Sequence, residues 1–374
     1  MTDMIKLGDV ATYINGYAFK PEDRGEVGLP IIRIQDLTGN AYDLGFYDGE
    51  YPEKIEINDG DVLISWSASL GVYVWNRGKA LLNQHIFKVA FDKAEIDKNY
   101  FVYAVRQKLD EMGMKTHGAT MKHIVKKDFD ATQIPYPSLR EQTQIAANLD
   151  KISKIITARK RELQLLDDLI KARFVEMFGD VQHEEKYKGI QLRELCTTMS
   201  GGTPSTKFPE YYEGDIPWIS TVSLGPNYID GTTAKGYITQ EAVDNSATKL
   251  IPAGNILFGT RVGVGKSSLN NVDICTNQDI VAIVGIDESK FNRLFIKHVL
   301  DAYQPYYDSI KKGATILGIT GDDLKDTLIP NVPIEIQIEF EKFVNQVDKS
   351  KLLVQKSLDE TQVLFNSLMQ KYFG

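Results

Sequence analysis

At 374 residues, 43% of them hydrophobic and 25% charged, the chain has the length of two or more globular domains and a composition that excludes a disordered or collagenous protein. Its formal net charge of −8 excludes a protein that coats nucleic acid through bulk positive charge. No apolar run suits a signal peptide or a membrane span, so a cytoplasmic protein without membrane contact is expected; Cys196, Cys275 and five histidines, with no CxxC pair, argue against a disulfide framework or a structural zinc site.

In chain order, residues 1–137 alternate short β-like runs with Gly, Asn, Asp and Pro breaks. Residues 62–91 contain no Asp or Glu but carry Ser65, Arg77, Lys79, His85 and Lys88, with Trp66, Tyr73 and Trp75 interleaved to stack or to pack. Residues 112–127 are again free of acids and hold Lys115, Thr120, Lys122, Lys126 and Lys127. A helix is predicted over 138–179. No Gly or Pro occurs from Ser138 to Phe178, and Ile145, Leu149, Ile152, Ile156, Leu163, Leu166, Ile170 and Met177 follow a 4-3-4 spacing, with Arg159 and Arg173 interrupting. Seven-residue periodicity sustained over about five heptads is a coiled-coil pattern. A helix of about 40 residues is roughly 60 Å long, and the glycine of Phe178-Gly179 suits its C-terminal cap.

Residues 180–333 are a second mixed region. "SGGTPS" offers Thr203 and Ser205, and the acid-free stretch 245–272 carries Lys249, Thr260, Arg261 and Lys266. Its segment "GTRVGVGKSS" (Gly259 to Ser268) looks like a nucleotide-phosphate loop. A Walker A loop, however, needs glycine where Thr260 stands, and a helix after it, whereas "SSLNNVDICTN" is a poor helix former. The dinucleotide fingerprint fails as well, because Ser268 occupies the place of its third glycine. Residues 309–321, again without acids, bring Lys311, Lys312 and Thr315. The last segment, 334–374, repeats the long-helix pattern through Phe340, Val344, Val347, Val354, Leu358, Phe365, Leu368 and Tyr372, interrupted by Lys351 and Thr361.

These parts form an internal repeat. "GATMKHIVKKDFDATQIP" (Gly118 to Pro135) returns as "GATILGITGDDLKDTLIP" (Gly313 to Pro330), "LNQHI" as "TNQDI", "GDVLIS" as "GNILFG", "LPIIRIQDL" as "IPWISTVSL", and "IKLGDV" as "IQLREL", with an offset that drifts from 185 to 195. The counterpart of the glycine-rich loop is "SWSASLGVYV" (Ser65 to Val74), which keeps Gly71 opposite Gly265 and has no lysine. The pattern predicts an α+β fold: two globular α/β-mixed units, 1–137 and 180–333, each followed by a long helix, the two helices pairing as an antiparallel coiled coil. A helical hairpin inside one domain is the alternative. Acid-free loops bearing Lys and Arg suit a phosphate backbone, since carboxylates there would repel it; buried strand sequence, poor in acids for its own reasons, is the other explanation. A Glu-x-Lys pattern at Glu288-Ser289-Lys290 with Asp273 or Asp279 fits a nuclease only loosely, the Asn/Asp-Pro-Pro-Tyr/Phe motif of amino-methyltransferases is absent, and no Ser/His/Asp or Cys/His set stands out. The chain reads as a recognition protein with no catalytic or metal-binding residues of its own.

"SGGTPSTKFPEYYEGDIPWIS", "IPAGNILFGTRVGVGK", "NQDI", "GATILGI" and the helix opening "IPYPSLREQTQIAANLDKI", in this order, resemble the specificity subunit of type I restriction-modification enzymes. The resemblance covers both copies. The first copy has "NGYAFKPED" in place of the Gly-Gly-Thr-Pro-Ser stretch, and the second helix opens with the looser "IPNVPIEIQIEF". The resemblance implies two target recognition domains joined by spacer helices that set the interval between two half-sites of an asymmetric double-stranded DNA target. It further implies two methyltransferase (modification) subunits along the helices, with Ile145, Leu149, Ile152, Ile156, Phe340, Val344, Val347 and Leu358 as partner-binding positions, and restriction/translocase subunits joining them. This chain would bind no cofactor; S-adenosylmethionine, ATP and Mg would belong to the partner subunits. Ser65, Arg77, Lys115, Thr120, Lys122, Thr203, Ser205, Thr260, Arg261, Lys266, Lys311 and Thr315 are the expected DNA-contacting residues. A coiled-coil scaffold with protein-binding globular units and an autonomous DNA endonuclease are the competing functions.

Overall fold

A computed structural model describes residues 3–40, 43–115, 124–182, 186–313 and 315–374. The chain divides into two compact units: unit 1 is 1–161 with 355–374, and unit 2 is 162–354. Four helices frame the units: α1 (Lys98–Lys115), α2 (Leu139–Phe178), α3 (Arg293–Ala302) and α4 (Ile334–Phe373). Each of the long helices, α2 and α4, therefore contributes one segment to each unit.

In unit 1 the central sheet contains β1 (Thr12–Asn15), β2 (Val62–Ser65), β3 (Gly71–Val74) and β4 (Ile86–Ala90), in the order β1-β4-β2-β3 and antiparallel throughout. Unit 2 repeats it with β5 (Thr197–Ser200), β6 (Tyr228–Ile229), β7 (Ile256–Gly259), β8 (Ser267–Asn270) and β9 (Ile280–Val284), in the order β5-β9-β7-β8-β6. A second small sheet in each unit contains a parallel pair, Leu29–Ile32 with Ala80–Leu82 and Ile216–Ile219 with Cys275–Thr276. Each unit is also closed by a short antiparallel ribbon, Ile5 opposite Ile134 and Ile190 opposite Ile329. The repeat read from sequence is thus a repeat of strand order and register.

All four residues of β2, of β7 and of β8 are buried. Much of the acid-free composition of 62–91 and 245–272 is therefore interior strand, the desolvation cost of a carboxylate having kept acids out.

The long helices bury their stripes within each unit. In unit 2, Phe174 and Phe178 of α2 meet Phe340 of α4 with ring centroids 5.5 and 5.4 Å apart. Asp167 pairs with Lys351 at 2.6 Å and Arg173 with Glu339 at 3.0 Å, so the two segments run antiparallel, and two of the interrupting cations serve as interhelical ion-pair partners. In unit 1, Ala146 and Leu149 of α2 share a core with Met369 and Phe373 of α4. The buried residues near the helix ends differ from the sequence expectation by one position: Phe178 replaces Met177, and Met369 and Phe373 replace Leu368 and Tyr372 as the most buried. A straight helix of 3.6 residues per turn drifts against a seven-residue repeat, and over several heptads the contact stripe slips to the next residue. Gly179 ends α2 at φ +77, in the left-handed cap conformation its sequence position called for.

The motif that opens each long helix has a structural cause. Gln142 and Gln337 are both buried. The Gln142 amide accepts from Asp97 N–H at 2.9 Å and donates to the Pro137 carbonyl at 2.9 Å. Gln337 accepts from Asn292 N–H at 2.8 Å and donates to the Val332 and Lys290 carbonyls at 2.7 and 3.1 Å. The same side chain ties the start of each long helix to the start of α1 or α3. No helix among the described residues is long and apolar enough to cross a membrane.

Candidate nucleic-acid interface

In unit 2, β7 and β8 are joined by residues 260–266. Gly259 N–H donates to the Lys266 carbonyl at 2.9 Å, Gly265 N–H to Gly259 at 3.0 Å, and Lys266 N–H to Gly263 at 3.1 Å. These amides are spent inside a hairpin, and a strand comes next rather than a helix, so neither element of a phosphate cradle is present. Gly265 has φ +86, and a Cβ there would lie 2.0 Å from Gln304 Oε1, so this position of the hairpin requires glycine.

Three of the repeated stretches converge on this turn. Thr260 N–H donates to the Asp279 carbonyl at 2.8 Å, and Ile319 N–H donates to the Thr260 carbonyl at 2.8 Å. Arg261 Nη1 lies 3.8 Å from Asp279 Oδ1, Thr203 donates its hydroxyl to Gln278 Oε1, and Lys312 and Gly318 exchange backbone hydrogen bonds of 2.9 and 3.0 Å. Unit 1 uses the same frame: Trp66 N–H donates to His85 at 3.3 Å, and Ile124 N–H to Trp66 at 3.0 Å. The glycine of "NGY" also matches that of "SGG". Gly16 N–H donates to Ile86 and Gly201 N–H to Ile280, and a Cβ would fall 2.0 Å from the Asn83 carbonyl oxygen in one and 2.1 Å from that of Asn277 in the other.

The furnishing differs between the units. Unit 1 sets the Trp66 and His85 rings edge to face at 5.0 Å, with Ala68 and His85 at φ 57 and 70, conformations that non-glycine residues hold only where the surroundings enforce them. Unit 2 carries Arg261 and Lys312 around a pocket of about 380 Å³ that also includes Thr320 and Asp323. Two carboxylates enter here that the linear windows excluded. Asp279 lies half-buried beneath Arg261. Asp323 accepts from Thr320 N–H and Oγ1, both at 2.7 Å, and these bonds, with Lys312 nearby, hold its carboxyl below the usual aspartate range.

Arg261, Lys266, Thr203, Ser205 and Thr315 are exposed, and the contacts above bring Arg261 and Thr203 to the Gln278–Asp279 stretch. Ser65 and Thr260 are buried, their hydroxyls donating to Ser69 and Asp279 carbonyls, so neither offers a free hydroxyl to DNA. Arg77 lies beyond Val74, at the opposite end of the β2–β3 hairpin from the 66–70 turn, over the Trp75 ring at 4.3 Å and donating to Asp36 O at 2.9 Å. Lys311 is paired with Asp308. Thr120, Lys122 and the side chain of Lys115 lie outside the described residues. Of the helix positions, Leu149, Ile156, Phe340, Val344, Val347 and Leu358 are buried and Ile145 and Ile152 half-buried, which leaves other faces of α2 and α4 for any partner protein. The expected DNA contacts included Lys311 but not its neighbour Lys312, which is exposed where Lys311 is engaged, nor the exposed Gln84 and Gln278. The identical Asn-Gln pair in the two repeats was the available signal.

Burial pushes the Cys196 and Cys275 thiols up to about 11, so both stay protonated near neutral pH. Among the described residues no group of three or more His, Cys, Asp or Glu side chains could hold a metal ion.

The model of the type I restriction modification DNA specificity domain matches residues 2–166 and again 184–361. The specificity subunit of the EcoBI type I restriction enzyme of Escherichia coli is 29% identical over 170 residues, 45% of this chain and 35% of that subunit. The EcoR124I/EcoR124II subunit of Escherichia coli is 28% identical over 222 residues, 58% of this chain and 53% of that subunit. The EcoKI subunit of Escherichia coli K12 is 20% identical over 409 aligned positions, 97% of this chain and 86% of that one. The chain thus aligns with about a third of the first of these relatives and most of the last. Among solved structures, the type I restriction-modification S subunit from M. genitalium superposes with a TM-score of 0.57 at 14% identity, covering 100% of this chain and 96% of that one. A chain from a study of complex assembly and conformational transition of the type I R-M system gives 0.60 at 17%, covering 99% and 97%. These two share the fold, and with the family model matching both repeats over most of the sequence, the chain belongs to the type I restriction-modification DNA specificity subunit family.

Proposed function

We propose that this chain reads a bipartite, asymmetric double-stranded DNA target, one half-site per unit, with α2 and α4 as the spacer. It docks two methyltransferase (modification) subunits and the restriction/translocase subunits, and it performs no catalysis itself. S-adenosylmethionine, ATP and Mg then belong to those partners, and the assembly acts in the cytoplasm. The observation that carries this reading is the shared frame of two units in which the same three stretches meet at one turn, while the side chains presented there differ. Two unlike half-sites call for that arrangement: a common scaffold with separate reading surfaces. Exposed Leu352 and Leu353 in unit 2 and Val363 and Leu364 in unit 1 support protein docking on α4, since apolar side chains this exposed on a long helix suit a partner's surface. Mapping methyladenine in the source genome with and without the gene tests the reading. A bipartite motif should lose its methylation in the deletion strain, and if every motif stays methylated the reading falls.

A further inference from the structure

Gln84 and Gln278 stand at the same point of the two units. In unit 1 the turn carrying Gln84 is held by Gly16 N–H donating to the Ile86 carbonyl at 3.1 Å, Tyr17 N–H to Leu82 at 2.8 Å and Asn83 N–H to Ile32 at 3.0 Å. In unit 2 the corresponding bonds run from Gly201 to Ile280 at 3.0 Å, Gly202 to Thr276 at 2.8 Å and Asn277 to Ile219 at 3.0 Å. With each glycine packed on the carbonyl of the preceding asparagine, Asn83 or Asn277, these bonds fix where the glutamine side chain starts.

Folding does not account for that side chain. Both glutamines are exposed. Gln84 donates its backbone N–H to Tyr17 O at 2.8 Å and to Asn83 Oδ1 at 2.9 Å, and among the described residues its side-chain amide makes no hydrogen bond. The Gln278 amide accepts from the Thr203 hydroxyl, which orients it and leaves both N–H donors and a second lone pair open. Around them the copies have diverged: Tyr17 stands opposite Gly202, Ala18 opposite Thr203, Trp66 opposite Thr260 and His85 opposite Asp279. An exposed side chain that stays the same while its neighbours change answers to something outside the chain that both units meet.

Two unlike half-sites share one feature, the adenine that each presents to a modification subunit. A glutamine amide complements that base, its Oε1 accepting from adenine N6 and its Nε2 donating to N7. Resting on the recognition function above, we propose that Gln84 and Gln278 are specificity-determining residues that read the target adenine, one in each half-site, through this bidentate contact in the major groove. The contact is made with the stacked duplex, before a methyltransferase turns the base out of the helix.

The test uses the complex of this chain with its modification subunits, without S-adenosylmethionine. Duplexes carry the methylated motif mapped in the source genome, and affinity is read by anisotropy competition at one salt concentration. 7-Deazaadenine at the target position keeps the pairing with thymine and removes N7 alone. In either half-site it should weaken binding by the parent about threefold or more. Gln84→Ala should weaken binding to the natural duplex about tenfold and abolish the 7-deazaadenine penalty in one half-site only, and Gln278→Ala should do the same in the other. Both variants should melt like the parent, since both side chains are exposed. The proposal is overturned, with recognition left standing, if the parent prefers the motif to a scrambled duplex yet shows no penalty, if the penalty survives in both half-sites of a variant, or if a variant binds the natural duplex like the parent. A parent without that preference overturns both.

Discussion

At the turn after β2, unit 1 sets Trp66 against His85, whereas at the same place in unit 2 Thr260 lies over Asp279 with Arg261 beside it. The backbone bonds that tie the two turns to the neighbouring stretches correspond, Trp66 to His85 and Ile124 to Trp66 in one, Thr260 to Asp279 and Ile319 to Thr260 in the other, and the side chains presented do not. The long-helix openings behave oppositely: Gln142 and Gln337 are one side chain performing one task twice. What differs between these regions is where the hydrogen bonds are made. A turn fixed by backbone groups leaves its side chains free to diverge, while a junction fixed by a buried side-chain amide does not.

The largest effects should come from the seam, and unequally in the two copies. Phe340 is fully buried and meets Phe174, Phe178 and His298, while its repeat counterpart Ile145 is half-buried. Phe340→Ala should cost about 3–5 kcal/mol and Ile145→Ala about 2 kcal/mol or less, read as shifts of denaturation midpoint. Equal losses would show that burial in the repeat does not decide the energetics.

Next in size, and symmetric if the two junctions do the same task, are the buried amides. Gln337→Ala strands one N–H and two carbonyls, and Gln142→Ala strands one of each. Both should destabilise by about 1–3 kcal/mol, Gln337 the more, because a buried group left unpaired loses its water without replacement. A loss in one copy only would contradict a shared role.

A smaller effect separates reading from folding. Arg261 and Lys266 are exposed, so Arg261→Ala with Lys266→Ala should leave stability within about 0.5 kcal/mol. DNA affinity of the assembled complex should fall about tenfold or more, and the slope of log affinity against log salt should become shallower by up to about 2. An unchanged affinity and slope would remove this turn from the interface.

The legible parts of the sequence were those written locally: the internal repeat, the two long helices, the glycine cap after Phe178, and the absence of a helix after "GTRVGVGK". Less legible was anything that depends on what lies opposite. Acid-poor windows read as binding surface contain buried strand, because carboxylates are excluded from both for related reasons, and composition does not distinguish them. Asp279 and Asp323 stand outside the acid-free windows in sequence yet join the Arg261 turn in space. Lys311 and Lys312 are neighbours, and only the position of Asp308 reveals which of them is engaged. The stripe at the helix ends slipped by one residue since a heptad count carries no record of accumulated rotation.

The smallest expected effect contrasts how the two long helices begin. Ser138 donates its N–H to Glu141 Oε2 at 3.0 Å and its hydroxyl to the same oxygen at 2.6 Å, whereas Pro333, before Ile334, has neither group to give. These bonds hold the Glu141 carboxyl below the usual glutamate range. Ser138→Ala should cost on the order of 1 kcal/mol at neutral pH, and Pro333→Ala should show no comparable loss of a cap. The sign of the pH dependence comes from the depressed carboxyl: its contribution is present above the unfolded glutamate pKa and disappears as pH falls through the lower folded one. The difference in denaturation midpoint between parent and Ser138→Ala should therefore narrow in acid. A difference that stays constant into the acid range would assign the cap to the Ser138 hydroxyl accepting from Glu141 N–H, which at 3.4 Å is the weakest of the three contacts.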